Sequence, residues 1–391
     1  MNTDISIPSP QWNSELSQVI MDLEKLRSTV RTSTVPPYIF FQLKNIFQLL
    51  ETLGSARIEG NNTTLSEYVD EIIEKKTSQD EKRQELKNID EGIAFIEKIT
   101  EPQTLVDRAY LSEIHKILTQ RLTPPPKGEG SNHPGELRLE NVEINGVIPP
   151  PPVRAEQLRD YFDAFIRFIN EEQRLQNQLL MVAIAHHRFM YIHPFDNGNG
   201  RMGRLLNYAL LIKLGFNVVG RVFNPSSVFY ADRNKYYESL RAADSLRDED
   251  LLKWAEYFLY GLKNQIEKIN TLMDQKYTVN QILVPTLKSA LDRQHITRQE
   301  YDVLFFLVRH HDMAIQSKDL EKIGITGSSQ KAYVMRKLRD KGMAVSVKGK
   351  PRTYTIKFTN NYLLRSVIRV LSAEGFVAES LDSNEGEAGG R

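Results

Sequence analysis

The residues from Gln176 to Ile192 form a nearly apolar run that leads directly into a polar segment, His-Pro-Phe-Asp-Asn-Gly-Asn-Gly-Arg-Met-Gly-Arg, at 193–204. A helix that is apolar on all sides is stable only when other elements surround it. The run therefore predicts a buried helix, with His193 at its C-terminal end. The rest of the chain has to supply the elements that bury it.

Apolar residues recur at helical spacing over most of the chain. Residues 14–98 show this pattern, as in Leu16, Val19 and Leu23, with a break at Val35-Pro36-Pro37. Further helices are predicted at 108–121, 154–170, 176–192, 201–214, 232–267 and 271–291. The predicted fold class is mainly α, and the proline-rich stretch 124–135 is predicted to be a loop.

Residues 137–148 interrupt the helical pattern. Val142, Ile144 and Val147 alternate with polar residues around Asn145-Gly146, a strong signal for a hairpin turn. The segment predicts a β-hairpin, and the alternatives are an ordinary surface hairpin or one that binds a partner.

The sequence pattern changes again after Thr297. Helices are predicted to about Arg309, at 317–322 and at 328–341, followed by alternating residues around Gly349-Lys350-Pro351. This order resembles a small α+β winged-helix module. The residues from Ser380 to Arg391 are small, polar and acidic, which predicts a disordered end.

Composition limits the classes of function. The 391 residues carry 51 basic and 50 acidic side chains, a formal charge of +1, so no global field attracts nucleic acid or a membrane. A chain of this length can form two or three domains. Cysteine is absent, which excludes disulfides and thiolate metal sites. With no signal-like start and no run of 18 apolar residues, the sequence predicts a cytoplasmic protein.

The polar segment after His193 is suited to binding phosphate. Main-chain N–H groups of a glycine-rich turn can approach an anion closely, and a helix that begins near Gly200 adds its dipole. Arg201 and Arg204 are three residues apart and would both reach phosphate oxygens. His193 would then be a base beside a polyphosphate.

The segment also has other interpretations. Residues 198–203 fit the dinucleotide pattern Gly-x-Gly-x-x-Gly, but they lack a strand directly before and an acidic residue about 20 positions later. A P-loop motif does not occur. A solvated polar turn between two helices is the remaining alternative.

The segment resembles the Fic family motif His-x-Phe-x-Asp/Glu-Gly-Asn-Gly-Arg-x-x-Arg at every position but Asn197. The resemblance implies a helical protein adenylyltransferase that transfers AMP from ATP to a Ser, Thr or Tyr hydroxyl of a target protein, releasing pyrophosphate, usually with Mg²⁺. At position 197 the family usually has a metal-binding carboxylate. Asn197 offers only a neutral oxygen, and Asp196 is the alternative donor.

The predicted roles follow from chemistry and from this resemblance. A neutral imidazole suits a general base near neutral pH, which assigns that role to His193. The main chain of Gly198, Asn199 and Gly200, with the Asn199 amide, is predicted to form an anion hole. By resemblance, Arg201 holds the α- and β-phosphates and Arg204 the γ-phosphate. The remaining predicted ATP-binding residues of the motif are Met202 and Gly203.

A second motif, Ser55-Ala-Arg-Ile-Glu59-Gly60, resembles the inhibitory helix of the family, Ser/Thr-x-x-x-Glu-Gly/Asn. Gly60 is a suitable residue just past the end of a helix. Glu59 would then lie in the last turn, and its carboxylate is predicted to pair with Arg204 in the place of a γ-phosphate oxygen.

Two more sites rest on the resemblance. The hairpin would be the family's flap, on which an extended target segment adds as a strand, with Val142, Ile144 and Val147 as docking residues. Tyr236, Tyr237 and Asp244 would contact adenine and ribose. The family usually has Asn at the third of these positions, and tyrosines on a helix are more often core residues.

The predicted domains are an N-terminal helical region (1–100, inhibitory helix near 50–60), the Fic core (101–268), a connecting helix (269–296), the winged helix (297–360) and a C-terminal helix with a disordered tail (361–391). The basic side chains of the predicted winged helix could contact DNA phosphates, and a protein partner is the alternative. Self-modification and a homodimer also remain open. The functional alternatives are another Fic-type transfer, of phosphate or another nucleotide, and a nucleotide-sensing DNA-binding regulator.

Overall fold

The computed structural model describes residues 4–28, 33–74, 80–141, 155–216 and 224–381. Four helices form the N-terminal region: α1 (Glu15–Ser28), α2 (Pro37–Ile58), α3 (Leu65–Glu74) and α4 (Glu81–Ile99). The predicted helical region and its break are confirmed. Pro37 begins α2, a position that tolerates proline because first-turn amides have no partner within the helix.

Four helices follow in the central part of the fold: α5 (Arg108–Thr119), α6 (Ala155–Asn170), α7 (Leu175–Ile192) and α8 (Asn199–Lys213). The predicted burial of α7 is confirmed, since it packs against α1, α6, α8 and the later helix α11 (Asp248–Thr271). Helices α7 and α8 are joined at the His193 segment. No helix in the described ranges is both long and apolar enough to cross a bilayer.

The predicted helix 232–267 is wrong in its continuity. Two helices precede α11, namely α9 (Ser227–Tyr230) and α10 (Arg233–Ala243). The chain turns between α10 and α11, where Leu246 has a left-handed φ of 57°. The Ser245 hydroxyl and the Arg247 guanidinium both donate to the Asp250 carboxylate, at 2.7 and 2.9 Å. These contacts favour a new helix start over a continuation.

The predicted connecting helix 271–291 begins later than expected. Asp274 accepts a hydrogen bond from the Tyr277 N–H, which starts α12 (Gln275–Tyr277). A π-helical stretch, Thr278–Leu283, then leads into α13 (Val284–Asp292).

The C-terminal module contains α14 (Arg298–Arg309), β1 (Ala314–Gln316), a 3₁₀ helix (Ser317–Ile323), α15 (Ser328–Asp340), β2 (Ala344–Val347) and β3 (Lys350–Ile356). The strands form an antiparallel sheet in the order β1-β3-β2. The predicted helices and the two alternating strands occur as expected. Strand β1 was missed because three residues are too few to show an alternating pattern.

The chain continues through α16 (Leu363–Ala373) and a 3₁₀ turn, Glu379–Leu381. The predicted disordered end is wrong for its first residues. The Ser380 hydroxyl donates to the Tyr230 carbonyl at 2.8 Å, and Leu381 is fully buried. The rest of that segment, 382–391, lies outside the described residues.

Side chains of helix α2 attach it to the C-terminal module: the Tyr38 hydroxyl donates to the Asp312 carbonyl, and Gln42 binds at the end of β3. Gln42 Nε2 donates to the Ile356 carbonyl at 2.9 Å, and its Oε1 accepts from the Phe358 N–H at 2.8 Å. Gln42 thus pairs with the main chain at the end of β3 much as a neighbouring strand would. The helix that carries Ser55 is therefore fixed at its other end to the sheet.

We expect Gln42→Ala to lower the free energy of unfolding by about 2 kcal/mol, because two buried main-chain groups lose their partner. Chemical denaturation measures the change. The control is Gln48→Ala on the same helix, whose bond to Asp90 is exposed and whose loss should change stability by less than about 0.5 kcal/mol. Equal losses in both variants would contradict the role given to Gln42.

Candidate active site

His193 follows the last residue of α7 in a left-handed conformation, with φ 49° and ψ 63°. Its N–H still donates to the Phe189 carbonyl at 3.0 Å, which completes the helix end. Arg138 holds the next peptide groups: its Nε donates to the His193 carbonyl and its main-chain N–H to the Pro194 carbonyl, both at 2.9 Å. The backbone that carries the imidazole is therefore fixed from two sides.

The imidazole of His193 is held as a neutral base. Its Nδ1 lies 3.3 Å from the Met190 carbonyl, which can only accept, so Nδ1 carries the proton and the Nε2 lone pair is available. The pKa of His193 is lowered to about 4, mainly by burial and to a smaller extent by the charge of Arg138, while the bond to the Met190 carbonyl and the Glu59 carboxylate partly oppose this shift. At neutral pH the ring is uncharged.

The glycine turn after His193 is positioned by Asn199. Gly198 has a left-handed φ of 74°, and α8 begins at the next residue. The Asn199 side chain accepts from the Phe195 N–H at 3.0 Å and donates to the Phe195 carbonyl at 2.9 Å. Both polar atoms of this amide hold the loop, and its part in the anion hole stays a prediction. The first-turn main-chain amides of α8 remain as donors.

The Glu59 carboxylate lies against this first turn. A β-carbon at Gly200 would be only 2.0 Å from Glu59 Oε1, so only glycine permits this approach. The same oxygen accepts from Arg204 Nη2 at 2.8 Å. A carboxylate thus occupies the region in which the sequence predicts phosphate.

Arg204 is also bound by Ser55, the first residue of the motif that ends in Glu59 and Gly60. Its Nε donates to the Ser55 hydroxyl at 2.8 Å and its Nη2 to the Ser55 carbonyl at 2.9 Å. Arg204 and Ser55 are both 1% exposed, so these are interior contacts. The predicted pairing of Glu59 with Arg204 is therefore present in the structure, with Ser55 as a second partner.

The charges around Glu59 favour its ionised form. Burial alone would raise the pKa of this carboxyl, but the positive charges of Arg204 and Arg201 together outweigh burial, and the pKa is lowered. The site therefore contains an anion supplied by the chain itself.

Arg201 lies beside the turn, where a β-carbon at Gly198 would be 3.6 Å from its Nη2, and it is held there by acidic partners. Its Nη1 lies 3.0 Å from Glu85 Oε1, and its Nη2 donates to the Glu129 carbonyl at 2.8 Å and lies 3.1 Å from the Glu129 carboxylate. With two carboxylate neighbours, its charge is already compensated. The sequence did not reveal Glu85 or Glu129, because no local spacing relates them to position 201.

Several predicted nucleotide contacts differ in the structure. Met202 is fully buried in the core, and Tyr236 is fully buried with its hydroxyl 3.0 Å from His186 Nε2, so neither side chain presents a surface to a ligand. Tyr237 is partly buried and approaches the Ile58 carbonyl at 3.5 Å. Asp244 accepts from His187 Nε2 at 3.0 Å. Helical rotation explains the difference between the two tyrosines, since neighbouring residues face different sides.

Position 203 also has a packing role. A β-carbon at Gly203 would lie 3.1 Å from the Met190 sulfur, so this glycine lets α8 lie close to α7. The predicted target-docking residues Val142, Ile144 and Val147 lie outside the described residues.

The predicted metal donors are already engaged. Asn197 Oδ1 accepts from the Gly198 N–H at 2.7 Å, and the Asp196 carboxylate accepts from the Ser131 hydroxyl at 2.6 Å and the Asn132 N–H at 2.8 Å. Within the described ranges, no group of three or more His, Asp and Glu side chains could hold a metal ion. These residues do not fit a magnesium site based on protein carboxylates.

His115 is a further residue that the sequence did not reveal. Its ring stacks on Phe195 at 3.9 Å, its Nε2 bonds the Asn197 carbonyl at 3.0 Å, and its Nδ1 accepts from the Gly135 N–H at 2.8 Å. It supports the loop from the side of α5. A histidine in an amphipathic helix gives no sequence signal for such a role.

We expect ¹⁵N NMR of His193 to show a neutral ring with the proton on Nδ1 at pH 6, and a pKa close to 4 instead of the usual 6.5. Because the folded pKa is depressed, the contribution of His193 to stability is present above pH 6.5 and is lost as pH falls toward 4. The exposed His311 serves as the control. A His193 pKa near 6.5 would contradict the described environment.

Comparison with known proteins gives concordant results. Residues 105–211 match the model of the Fic/DOC family. "Protein adenylyltransferase Fic" from Culex quinquefasciatus is 30% identical over 195 residues, covering 49% of this chain and 36% of that protein. The protein of the same name from Nematostella vectensis is 29% identical over 199 residues, covering 49% and 42%. The chain thus spans less than half the length of these relatives.

Solved structures show the same fold. A Fic family protein from Desulfovibrio desulfuricans G20 has a TM-score of 0.55 at 16% identity, over 90% of this chain and 98% of that chain. A Fic domain containing signaling protein from Bacteroides thetaiotaomicron has a TM-score of 0.50 at 19% identity, over 65% and 95%. The chain therefore has a mainly helical Fic fold, with a Fic/DOC match at 105–211 and distant homology to proteins named protein adenylyltransferase Fic.

Proposed function

We propose that the chain is an autoinhibited protein adenylyltransferase. It transfers AMP from ATP to a Ser, Thr or Tyr hydroxyl of a target protein and releases pyrophosphate. The observation that carries the proposal is the Glu59–Arg204 ion pair of 2.8 Å, placed against Gly200 at the start of α8 and next to a neutral histidine. The names of the distant relatives support the same activity.

In the proposed reaction, Nε2 of His193 takes the proton of the target hydroxyl as its oxygen attacks the α-phosphorus. The bond from this phosphorus to the bridging oxygen breaks, and pyrophosphate leaves with the electron pair. Charge that develops on the phosphate oxygens is stabilised by first-turn amides of α8. Arg204 would bind the γ-phosphate once it is released from Glu59.

Inhibition follows from the same contacts. Arg204 and the first turn of α8 form one anion site, and the ionised Glu59 already occupies it. A triphosphate would have to displace Glu59 or bind with its terminal phosphate elsewhere, since two adjacent anions repel each other. We propose that ATP therefore binds weakly or in a pose that does not permit transfer.

Magnesium remains a prediction that rests on the family resemblance alone. The predicted donor oxygens, on Asn197 and Asp196, already accept hydrogen bonds from Gly198 and Ser131. The proposed steps therefore use only His193, Arg204 and main-chain amides of this chain.

We further propose that the C-terminal module is a winged helix that selects a partner. Lys331 pairs with Glu321, and Lys337 and Lys341 pair with Glu300, so these cations are compensated. On α15 and the β2–β3 hairpin, the exposed basic side chains with no acidic partner among the described residues are Arg336, Arg339, Lys348, Lys350 and Arg352. They form the surface with which such a partner would interact.

We expect Glu59→Gly to raise transfer at least about tenfold, since the γ-phosphate then gains Arg204. Parallel incubations with ATP labelled at the α- or the γ-phosphate measure the transfer, and only the α-label should reach protein. The matched control is Glu374→Gly, which also replaces a glutamate that ends a helix before a left-handed glycine but lies at the end of α16. Labelling from the γ-phosphate would favour phosphorylation instead, and no labelling would count against both reactions.

In the Glu59→Gly background, we expect His193→Ala to reduce AMP transfer by about 10²- to 10⁴-fold while ATP still binds, because the base is lost but the anion site is not. Calorimetry measures the binding and labelling measures the transfer. His311→Ala is the control, since that side chain is 92% exposed. Unchanged transfer without His193 would favour a regulator that only senses nucleotide.

A further inference from the structure

Arg138 is a buried cation that has no carboxylate partner in the part of the chain that the structure describes. Its side chain and main chain together are 2% exposed, and its guanidinium donates only to carbonyls, those of His193 and Glu140, each at 2.9 Å. Within the described ranges, its Nη2 has no hydrogen-bond partner. No acidic residue of the described chain forms an ion pair with it. A guanidinium stays charged, so an uncompensated one in the interior is destabilising.

A cavity of about 430 Å³ adjoins this side chain. It lies between α5, α6 and the segment 135–139, and Arg138 is one of its lining residues. Two more arginines, Arg108 and Arg159, line it as well. Arg108 is bound to Asp163, whereas the exposed Arg159 has no acidic partner among the described residues.

The other walls suit a short side chain. Phe162 and Phe195 give the cavity an apolar surface on which methylene groups can pack. Glu136 also lines the cavity, but its side chain is exposed. The lining thus combines an apolar wall with an excess of positive charge.

The position of this cavity relates it to the proposed reaction. Arg138 contacts the carbonyl of the residue that bears the base, while the Glu59–Arg204 pair occupies the phosphate site. A target segment whose hydroxyl reaches His193 would place neighbouring side chains near Arg138, because an extended residue spans only about 3.3 Å.

We propose that this cavity, which we name the Arg138 subsite, binds the carboxylate of an acidic residue that lies within a few positions of the modified hydroxyl in the target. The carboxylate would accept from the unpaired Nη2 of Arg138 and from Arg159. The buried charge of Arg138 would then be compensated only in the target complex. This inference rests on the proposed function for its target segment.

The test uses fluorescein-labelled eleven-residue peptides with a central Thr, in which one Glu is moved through the three positions on either side of it, and matched peptides with Gln. Fluorescence anisotropy measures their binding to the Glu59→Gly protein at low salt. We expect at least one Glu position to bind about tenfold tighter than its Gln counterpart, the effect of one charged hydrogen bond.

Two variants test the assignment. Arg138→Gln should reduce the preference for Glu to less than about twofold, and Arg159→Gln, on the exposed rim, should reduce it about threefold without affecting folding. Arg174→Gln is the matched control, since this exposed arginine precedes α7 at the end opposite His193. The preference of Arg174→Gln for Glu peptides should equal that of the parent protein.

Either of two results would overturn the subsite: no Glu position is preferred, or the preference persists in both Arg138→Gln and Arg159→Gln. The proposed function is judged separately by AMP labelling of the same peptides. Labelling without any preference for Glu would refute the subsite alone. Preferred binding of Glu peptides without labelling would refute the transfer reaction and leave the subsite intact.

Discussion

The arrangement of the site depends on competition for one anion-binding position. First-turn amides of α8 and the guanidinium of Arg204 create a strong preference for negative charge, and the chain satisfies this preference with its own Glu59. Gly200 permits the close contact, and Ser55 holds Arg204 in the orientation that the contact requires. The same groups that would bind a triphosphate are therefore the ones that an intramolecular carboxylate occupies.

The helix that leads to Glu59 is held in place by contacts far from the site. Glu59 lies just past the end of α2, and Gln42, near the beginning of the same helix, is hydrogen-bonded to the main chain at the end of β3. The aromatic contact between Phe47 and Phe376, with ring centroids 6.5 Å apart, adds a second attachment to the C-terminal part of the chain. A 22-residue helix thus connects the Glu59 carboxylate to the module with the exposed basic surface.

Much of the fold could be predicted from the sequence because periodicity is a local property. The burial of α7, the helical ends at Ile58 and Ile192 and the two strands around Gly349 follow from residues close in sequence. Contacts between distant residues could not be obtained in this way. Nothing near Arg201 indicates that Glu85 and Glu129 surround it, and nothing near Asn199 shows that its amide closes the loop. The burial of Tyr236 was likewise not evident from the sequence, because it depends on the helices that pack around α10.

Comparison of nucleotide affinities tests the central claim most directly. Calorimetry with ATP and ADP on the parent protein and on Glu59→Gly separates the terminal phosphate from the rest of the nucleotide. If Glu59 occupies the position of the γ-phosphate, the variant should bind ATP at least about tenfold more tightly, while its affinity for ADP should change much less. Equal affinities of both proteins for ATP would contradict the account.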